Sequence, residues 1–448
     1  MKDKKLYLVS LGCTKNLVDS EVMLGKLKDY NLIDKPNLAD IIIVNTCGFI
    51  NSAKEESINT ILTLAQNRKE KSILVVSGCL SERYKEELKE LLPEVDIFTG
   101  VGEYEKIDKI IERREGRFFS DSIYLADDRS PRVITGSNRH AYIKIAEGCN
   151  QNCSFCAIPN FKGRLFSRTI DSIEREVKAL VKRGFFEFTF ISQDSSSFGR
   201  DLGLKSGLID LIERIEKIDG VIVARILYLY PTTTTFELID KIAESKIFQT
   251  YYDMPIQHVS DKMLKVMKRG FGKQKTIELL ERMKSKENSF IRSSIIVGHP
   301  QESDRDFREV CKFLEEFQFN RVNIFEYSNE EDTQAFLMPQ IDEEIISDRV
   351  AILEEVVEET TLKSLKEMVG REYNSILEGV SDEHEYLYSA RPFIFAKDID
   401  GDILINDTSD LELKVGDIYR VEVTELVGDR LVGRLRERLQ YRNINISI

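Results

Sequence analysis

The 448-residue chain lacks three features that would each point to a common class of protein. No apolar run approaches the roughly twenty residues that a bilayer-spanning helix needs. The opening MKDKKLYLVSLG has lysines before an apolar stretch, but the stretch is too short for a signal peptide and no small-residue cleavage site follows. Basic residues are not in excess, since 64 Lys and Arg stand against 77 Asp and Glu. We therefore expect a soluble, cytoplasmic protein with no membrane partner, and a basic partner rather than a nucleic acid.

Cysteine is also sparse, but six of the seven cysteines fall into two triplets. The first is a compact CxxxCxxC in the segment CNQNCSFC, made of Cys149, Cys153 and Cys156. The second has one cysteine after each of three apolar, strand-like runs, at Cys13, Cys47 and Cys79. Thiols stay reduced in the cytoplasm, so cysteines grouped in this way are expected to be metal ligands rather than disulfides.

Neither triplet has the nearby fourth Cys or His that a closed structural zinc site requires. The chain has only four histidines; His258 is the nearest one after Cys156, and His140 lies before the motif in a predicted strand. Three thiolates on a 4Fe-4S cluster leave one iron free to bind a small molecule. Both triplets are therefore predicted to be open cluster sites. A three-thiolate zinc site, and for the second triplet three small buried side chains, are the alternatives.

Residues 1–125 alternate strand and helix and form the first predicted domain. Its apolar runs lie at 6–12, 40–46, 72–78 and 95–100, and an amphipathic helix follows each run. This pattern predicts a parallel sheet covered on both faces, in which ligands collect beyond the carboxyl ends of the strands. The three cysteines of the second triplet each end a strand, so they are expected to converge on one edge.

A polar linker at 126–132 leads to a second alternating series, predicted to form a domain over 133–368. Strand candidates lie at 140–148, 186–192, 221–230, 249–256, 290–298 and 321–327. Six βα units are too few for a closed eight-fold barrel, so the sequence predicts a partial (β/α)6 barrel. The compact triplet follows its first strand, at the end of a barrel strand where catalytic groups collect.

Residues 369–448 carry short alternating strands and predict a small antiparallel β-barrel of the kind that binds nucleic acid or protein. The overall fold class is therefore α/β, with this barrel at the end. From residue 371 onward there are ten Lys and Arg against sixteen Asp and Glu, which is unfavourable for an RNA-binding surface. Five arginines near the terminus could still form a local basic patch: Arg430, Arg434, Arg436, Arg438 and Arg442.

The compact triplet, with Phe155 before its last cysteine, resembles the signature of the radical S-adenosylmethionine superfamily. The segments SLGCTKNLVDSEVMLG, NTCGFINSAKEES and SGCLSERY around the second triplet resemble the amino-terminal domain of the methylthiotransferases. The segment KNLVDSE resembles the motif found in the branch that modifies an aspartate of a ribosomal protein, whereas the branch that modifies tRNA usually has a different motif there. The resemblance covers essentially the whole chain, including a TRAM-type β-barrel at the end.

The resemblance implies two 4Fe-4S clusters, one on each triplet, and S-adenosylmethionine as the cofactor. It also implies that polar groups and a glycine around the barrel contact that cofactor: Gln193, Arg225, Gln257, Arg292 and Gly298. An arginine would pair with the cofactor's carboxylate, and the glycine would let the backbone approach the adenosine. No catalytic residue is predicted beyond the cluster ligands. Two residues differ from the motifs usual in this branch: Thr14 stands where proline is common, and Gln301 where glycine is usual. The difference at Gln301 puts the backbone conformation of its loop in question.

The reaction that the resemblance implies replaces a hydrogen on the β-carbon of an aspartate with a methylthio group, in a basic small-subunit ribosomal protein. Such a C–H bond has no acidic proton, so acid–base catalysis cannot open it at neutral pH and a radical is required. The first cluster would generate the radical, and the second would hold the sulfur that another S-adenosylmethionine methylates. We expect a monomer that needs an electron donor. The alternatives are a tRNA adenosine methylthiotransferase and an iron–sulfur redox or binding protein without group transfer.

Overall fold

The first domain is built on a six-stranded parallel sheet with the order β2-β1-β3-β4-β5-β6. The computed structural model describes residues 4–440. The strands are β1 (Lys5–Ser10), β2 (Asn31–Leu32), β3 (Ile41–Thr46), β4 (Ile73–Gly78), β5 (Ile97–Thr99) and β6 (Gly116–Phe118). The helices are α1 (Thr14–Lys26), α2 (Asn51–Asn67), α3 (Cys79–Arg83), α4 (Leu88–Leu91) and α5 (Ile107–Ile111). Strand β3 is buried along its whole length, because apolar clusters cover both faces of the sheet.

The middle of the chain forms the predicted partial barrel from two three-stranded parallel sheets. Its six strands are β7 (His140–Lys144), β10 (Glu187–Ile191), β11 (Val223–Ile226), β12 (Tyr251–Asp253), β13 (Phe290–Val297) and β14 (Arg321–Glu326). The short strands β8 (Ala146–Glu147) and β9 (Phe166–Ser167) form a separate antiparallel pair. Strands β7, β10 and β11 form one sheet and β12, β13 and β14 the other, and a parallel bridge between Ala224 and Phe248 joins them. Within the described residues no ladder joins β7 to β14, so the barrel is open.

Eight helices cover the outside of this barrel. They are α6 (Ile158–Lys162), α7 (Ile170–Lys182), α8 (Gly207–Ile215), α9 (Phe236–Glu244), α10 (Asp261–Val266), α11 (Lys273–Lys284), α12 (Asp304–Phe317) and α13 (Glu343–Lys366). Helix α12 begins with a capping box in which Ser303 and Asp306 satisfy each other's backbone N–H groups. The seventh cysteine, Cys311, lies on α12 and packs against the barrel core. No helix in the described part of the chain is long and apolar enough to cross a bilayer.

The end of the chain is a closed five-stranded barrel with the order β15-β16-β17-β19-β18. Its strands are β15 (Glu372–Val380), β16 (Tyr388–Pro392), β17 (Ile403–Asp407), β18 (Ile418–Val427) and β19 (Arg430–Leu439). The predicted all-antiparallel pairing is wrong for one pair, because β17 and β19 run parallel. After β17 the chain crosses the barrel to β18, which pairs with β15. Strand β19 forms a hairpin with β18 and closes the barrel by lying alongside β17.

The arginines of this end barrel do not form a basic patch. Arg430 pairs with Asp402 and Glu383, and Arg438 pairs with Asp417. Two further arginines, Arg434 and Arg436, share Glu422. Arg442 lies outside the described residues. The acidic balance of the module is therefore not interrupted by a cluster of unpaired arginines in its described part.

A loop of the end barrel, residues 393–400, closes the amino-terminal mouth of the partial barrel. It contacts five of the six barrel strands, mostly near their first residues, through Tyr142, Arg225, Tyr251, Phe290 and Arg321. The sixth strand, β10, is bonded through Glu187 to Arg391 on β16, just before the loop. The Tyr142 hydroxyl donates to the Lys397 carbonyl at 2.8 Å, and the Phe290 and Phe395 rings meet edge to face at 5.6 Å. The loop therefore blocks entry of ligands at this mouth and leaves the opposite end, where the strands finish, for binding.

A buried ion group strengthens this closure. Glu187 and Arg225 have no exposed surface, and both bond to residues of the end barrel. Glu187 pairs with Arg391 at 2.9 Å, and Arg225 donates to the Phe393 carbonyl at 2.6 Å. Burial alone would raise the pKa of Glu187, but Arg391 and Arg225 outweigh it and hold that pKa well below its usual range. His140 lies beside this group, and burial lowers its pKa to about 3, so the ring is neutral.

Glu187→Gln should destabilise the protein by about 3 kcal/mol, because it leaves two buried arginines without their counter-charge. Urea unfolding of the two proteins measures this loss. The stabilising charge of Glu187 is fully present above its unfolded pKa of about 4.3 and is lost as the pH falls, so the difference between the proteins should shrink below about pH 4.

The matched control is Glu359→Gln, which removes one carboxylate from an exposed pair with Lys363 on α13 and should change stability little. Equal losses in the two variants would show that the buried ion group does not hold the end barrel in place.

Candidate metal centre and active site

The three cysteines of the second triplet meet at one edge of the parallel sheet. Cys13, Cys47 and Cys79 follow β1, β3 and β4, which are neighbours in the sheet. A Cβ built on Gly12, whose φ is +80°, would lie 2.5 Å from the Cβ of Cys47, and one on Gly48 would lie 2.7 Å from the backbone of Leu80. Only glycine permits such close packing, so it allows the three cysteine loops to touch.

The compact triplet lies on the loop after β8, and that loop is bonded to several parts of the barrel. The Cys149 N–H donates to the Gly163 carbonyl and the Ser154 N–H to the Met267 carbonyl, both at 3.1 Å. The Ser154 hydroxyl also lies 3.1 Å from the Nε2 atom of His299. These bonds fix the loop at the open end of the barrel, opposite the amino-terminal mouth that loop 393–400 closes.

Hydrogen-bond donors point at the sulfur atoms of both triplets. In Cys47, Cys149 and Cys156 the sulfur accepts from the backbone N–H of the residue two positions later, with a distance of 3.4 Å at Cys149. The Cys153 sulfur lies 3.2 Å from the Arg269 guanidinium and 3.3 Å from the Tyr230 hydroxyl. Donors arranged in this way stabilise negative charge on sulfur, which fits thiolate ligands of an iron–sulfur cluster.

The thiols of both triplets are held away from water and close to one another. Burial is the main cause that raises the pKa of Cys47, Cys79 and Cys149, and the charge of a neighbouring cysteine adds to it. The pKa rises to about 11 at Cys47 and to about 12 at Cys79 and Cys149. All seven cysteines are free thiols. Metal binding at either triplet must therefore expel thiol protons.

In residues 4–440, no three Cys, His, Asp or Glu side chains converge on one point as the ligands of a single ion do. His140 bonds to Thr189 deep in the barrel, and the His258 ring accepts from the N–H groups of Val259 and Ser260, so neither supplies a fourth ligand.

A buried ion cluster lies where the sheet domain meets the barrel, between the two triplets. It consists of Asp19 on α1, Lys144 on β7, Glu147 on β8 and Lys162 on α6, each at most 5% exposed. Lys144 bonds to both carboxylates, at 2.7 Å to Glu147, and Lys162 lies 3.7 Å from Asp19 and 3.6 Å from Glu147. Beside it Cys79, Ala157 and Phe161 share an apolar cluster, so a ligand of one triplet packs on the helix that follows the other.

The two carboxylates of this cluster respond differently to the same burial. Burial raises the pKa of Asp19, and Lys144 and Lys162 do not fully offset the effect. For Glu147 the same two lysines outweigh burial and lower the pKa to about 2. The Nζ of Lys162 and the Oδ2 of Asp19 have no hydrogen-bond partner.

A second ionic contact between the domains lies next to Cys47. Glu330, after β14, accepts from Lys54 at 3.0 Å and from Arg83, and it is only 2% exposed. Arg83 also donates to the Gly48 carbonyl at 3.0 Å. The loops of the second triplet are thereby tied to the barrel on two sides.

Three of the five predicted cofactor contacts lie where the prediction requires polar groups. Gln193 donates to Glu147, and Gln257 has a left-handed backbone, with φ +69°. Both have a buried side-chain oxygen without a hydrogen-bond partner. Arg292 donates to Asp253 at 3.0 Å and is partly exposed. Their contact with S-adenosylmethionine remains a prediction.

Of the other two contacts, one needs correction. Arg225 is fully buried at the closed amino-terminal mouth of the barrel, where its guanidinium pairs with Glu187 and Phe393, so it cannot reach a cofactor at the other end. At Gly298 a Cβ would meet the Ile346 side chain at 2.5 Å, so this glycine makes room for helix α13, and its contact with adenosine stays a prediction. In both cases the partner comes from a distant part of the chain.

The structure shows the surroundings of Thr14 and Gln301, the two residues that differ from the motifs usual in this branch. Thr14 is the first residue of α1, where the backbone N–H that proline would lack has no partner in the helix anyway. Gln301 adopts a left-handed conformation with φ +74°, which glycine adopts without strain. The structure thus keeps at Gln301 the backbone shape that a glycine would favour.

Several residues of this site were not identified from the sequence: Lys15, Asp19, Glu147, Lys162, Tyr228, Tyr230 and Arg269. Lys15 and Asp19 lie within the segment KNLVDSE, so the motif that indicated the branch of the family already contained both residues. The others lie on elements whose neighbours in space are far away in sequence, and no local pattern indicates them.

Comparison with known families defines the class of this protein. Residues 5–100 match the model described as uncharacterized protein family UPF0004, residues 143–314 that of the radical SAM superfamily, and residues 369–435 that of the TRAM domain. The radical S-adenosylmethionine methyltransferase TsrM from Kitasatospora setae is similar in fold, with a TM-score of 0.52 and 15% identity over 72% of this chain and 73% of that one. The fold and the family models together define a radical SAM protein with a TRAM domain.

Full-length relatives narrow this class. A ribosomal protein uS12 methylthiotransferase RimO from Sulfurovum sp. (strain NBC37-1) is 66% identical, covering 96% of this chain and 98% of the relative. The RimO protein of Aliarcobacter butzleri (strain RM4018) is 56% identical, covering 96% and 97%. The chain therefore belongs to the family of ribosomal protein uS12 methylthiotransferases RimO.

Arg269→Gln should make the reduction potential of a cluster on the compact triplet more negative, because the positive charge that donates to the Cys153 sulfur favours the reduced cluster. A shift of about 59 mV corresponds to a tenfold change in a one-electron equilibrium, and we expect an effect of this order. A redox titration of anaerobically reconstituted protein, followed by electron paramagnetic resonance, measures it.

Arg282→Gln is the control, since it removes an exposed arginine that pairs with Asp240 on the outer helices. It should leave the potential unchanged. A wild-type potential in the Arg269 variant would mean that this guanidinium does not tune the cluster.

Proposed function

We propose that this protein is a radical SAM methylthiotransferase that adds a methylthio group to the β-carbon of an aspartate in ribosomal protein uS12. The observation that carries the proposal is that the two three-cysteine sites meet where the sheet domain packs on the barrel, since Cys79 packs against Ala157, the residue after Cys156. Each site has donors aimed at its sulfurs. The relatives named for this activity match almost the entire chain.

Two 4Fe-4S clusters are part of the proposal. One would be held by Cys149, Cys153 and Cys156, and the other by Cys13, Cys47 and Cys79. When bound, the clusters supply an electron for cleaving S-adenosylmethionine to a 5′-deoxyadenosyl radical at the first site, and an open iron for the inserted sulfur at the second. A radical is needed because the β-carbon of aspartate has no proton that a base can remove at neutral pH.

The side chains around the first site would bind and orient the cofactor. Gln193 and Gln257 offer buried oxygens that lack partners and can accept from its amino or hydroxyl groups. Arg292 is the arginine that remains available for its carboxylate, because Arg225 is committed to the plugged mouth. Arg269 and Tyr230 would balance the charge at the Cys153 sulfur.

Each proposed domain has a role in this scheme. Residues 1–125 would hold the sulfur-bearing cluster, residues 133–368 the cluster that binds S-adenosylmethionine, and residues 369–448 would recruit the substrate. The end barrel has an acidic balance and its described arginines are paired, which favours a basic ribosomal protein over tRNA. The protein would act in the cytoplasm as a monomer, with an external one-electron donor.

Two cysteine variants test the division between the clusters. Cys153→Ala should lose about half of the iron and abolish reductive cleavage of S-adenosylmethionine, because the first site cannot form. Cys47→Ala should lose a similar amount of iron, still release 5′-deoxyadenosine and yield no methylthioaspartate. Iron content, chromatography of the nucleoside and mass spectrometry of uS12 provide the three measurements. If the Cys47 variant made methylthioaspartate, the second triplet would not be the sulfur carrier.

The substrate is tested in cells that lack the gene. Mass spectrometry of their ribosomal proteins should show uS12 without the methylthio group, and digested tRNA should be unchanged. Loss of a methylthio group from tRNA adenosine, with uS12 unaffected, would establish the tRNA alternative instead. Purified protein that never releases 5′-deoxyadenosine would favour the redox-protein alternative.

A further inference from the structure

A short stretch just after β11 joins the two cysteine triplets. The Tyr230 hydroxyl lies 3.3 Å from the Cys153 sulfur, and two residues earlier the ring of Tyr228 lies 3.5 Å from the ammonium of Lys15. Lys15 comes two residues after Cys13. The contact between Lys15 and Tyr228 therefore lies between a ligand of one triplet and a ligand of the other.

Tyr228 is held in a backbone conformation that is costly for an aromatic residue. Its φ is +71°, and the left-handed region is strained for a residue with a Cβ. Its N–H donates to Asp253 at 3.0 Å and its carbonyl accepts from the N–H of Ser195 at 2.9 Å, which fixes the conformation. Strain of this kind persists where the surroundings enforce it, and it concentrates at binding sites.

Lys15 differs from the other lysines at this junction in having no carboxylate partner. Lys54, Lys144 and Lys162 each lie within 4 Å of an acidic oxygen. Among residues 4–440, no Asp or Glu comes that close to Lys15, whose contact is the ring of Tyr228. It also lies in the first turn of α1, which contains no acidic residue and where the positive end of the helix disfavours a cation.

An ammonium in this position is suited to an anionic group that arrives from outside. Lys15 and Tyr228 are both half-buried, and burial withdraws the ammonium from water, so a charge-assisted hydrogen bond is stronger there. The substrate of the proposed reaction carries a carboxylate one bond away from the carbon that reacts. Binding that carboxylate would fix the reacting carbon to within about the length of a bond.

We propose that Lys15, supported by Tyr228, binds the side-chain carboxylate of the target aspartate and so positions its β-carbon between the two cysteine triplets. This assignment rests on the proposed function. S-adenosylmethionine also has a carboxylate and would reach the second triplet when it methylates the sulfur there, so the test separates binding of the cofactor at Lys15 from binding of the aspartate.

The test compares two forms of purified uS12, one natural and one with the target aspartate replaced by asparagine. Wild-type enzyme with both clusters should bind the aspartate form about tenfold more tightly. Lys15→Met should bind both forms equally, at the affinity of the asparagine form, while its iron content and its affinity for S-adenosylmethionine stay at wild-type values. Fluorescence anisotropy with labelled uS12 measures the affinities.

Lys26→Met is the matched control, because it removes the same charge from the last turn of the same helix, where Lys26 pairs with Glu105. It should keep the full preference for aspartate. Tyr228→Leu removes the ring that supports Lys15 and should lose most of the preference. Should Lys15→Met fail to hold iron, Lys15→Arg keeps the charge and must retain the preference.

Three results would overturn the assignment. One is an unchanged preference for aspartate in Lys15→Met or Tyr228→Leu. Another is a tenfold loss of S-adenosylmethionine affinity in Lys15→Met with the preference intact, which would assign this lysine to the cofactor. The third is a wild-type enzyme that binds neither form of uS12 and leaves both unmodified, which would overturn the proposed function itself.

Discussion

The arrangement of the two cysteine triplets depends on four charges buried between the sheet domain and the barrel. Asp19, Lys144, Glu147 and Lys162 come from four different elements and carry two charges of each sign. Removing an ion from water costs several kcal/mol, and buried pairs repay that cost only in a good geometry. Apolar surfaces could slide past each other at little cost, but these four ions lie within 4 Å of an opposite charge in one relative position. The cluster therefore specifies how the two domains dock.

The position of this cluster along the chain explains its influence on the site. Asp19 comes six residues after Cys13, and Lys162 six residues after Cys156, so each triplet is within two helical turns of an anchor. The contact of Glu330 with Lys54 and Arg83 fixes a second point beside Cys47. Two separate anchors prevent rotation as well as translation. A site that must pass a group from one centre to another needs this rigidity, since a shift of about 1 Å can cost a hundredfold in rate.

Most of the fold was predictable from local patterns, whereas the contacts between domains were not. Buried β-branched runs identified β1, β3 and β4, and the geometry of a parallel sheet then brought Cys13, Cys47 and Cys79 to one edge. Arg225 was misassigned because its partner Phe393 lies 168 residues away, on a loop whose position no periodicity indicates. The parallel pairing of β17 and β19 likewise depends on how the barrel closes. Local pattern identifies an element and its buried face, but not which distant surface covers it.

The plugged mouth of the barrel restricts how a substrate can reach the site. Loop 393–400 contacts five of the six strands near their amino ends, and the Glu187 group holds it there, so this mouth is closed to a substrate. At the opposite end the sheet domain is docked by two ionic anchors, and the contact of Lys15 with Tyr228 lies between a cysteine of each triplet. Under the proposed function the aspartate would reach both triplets beside this contact, and the acidic balance of the end barrel would favour a basic protein surface outside.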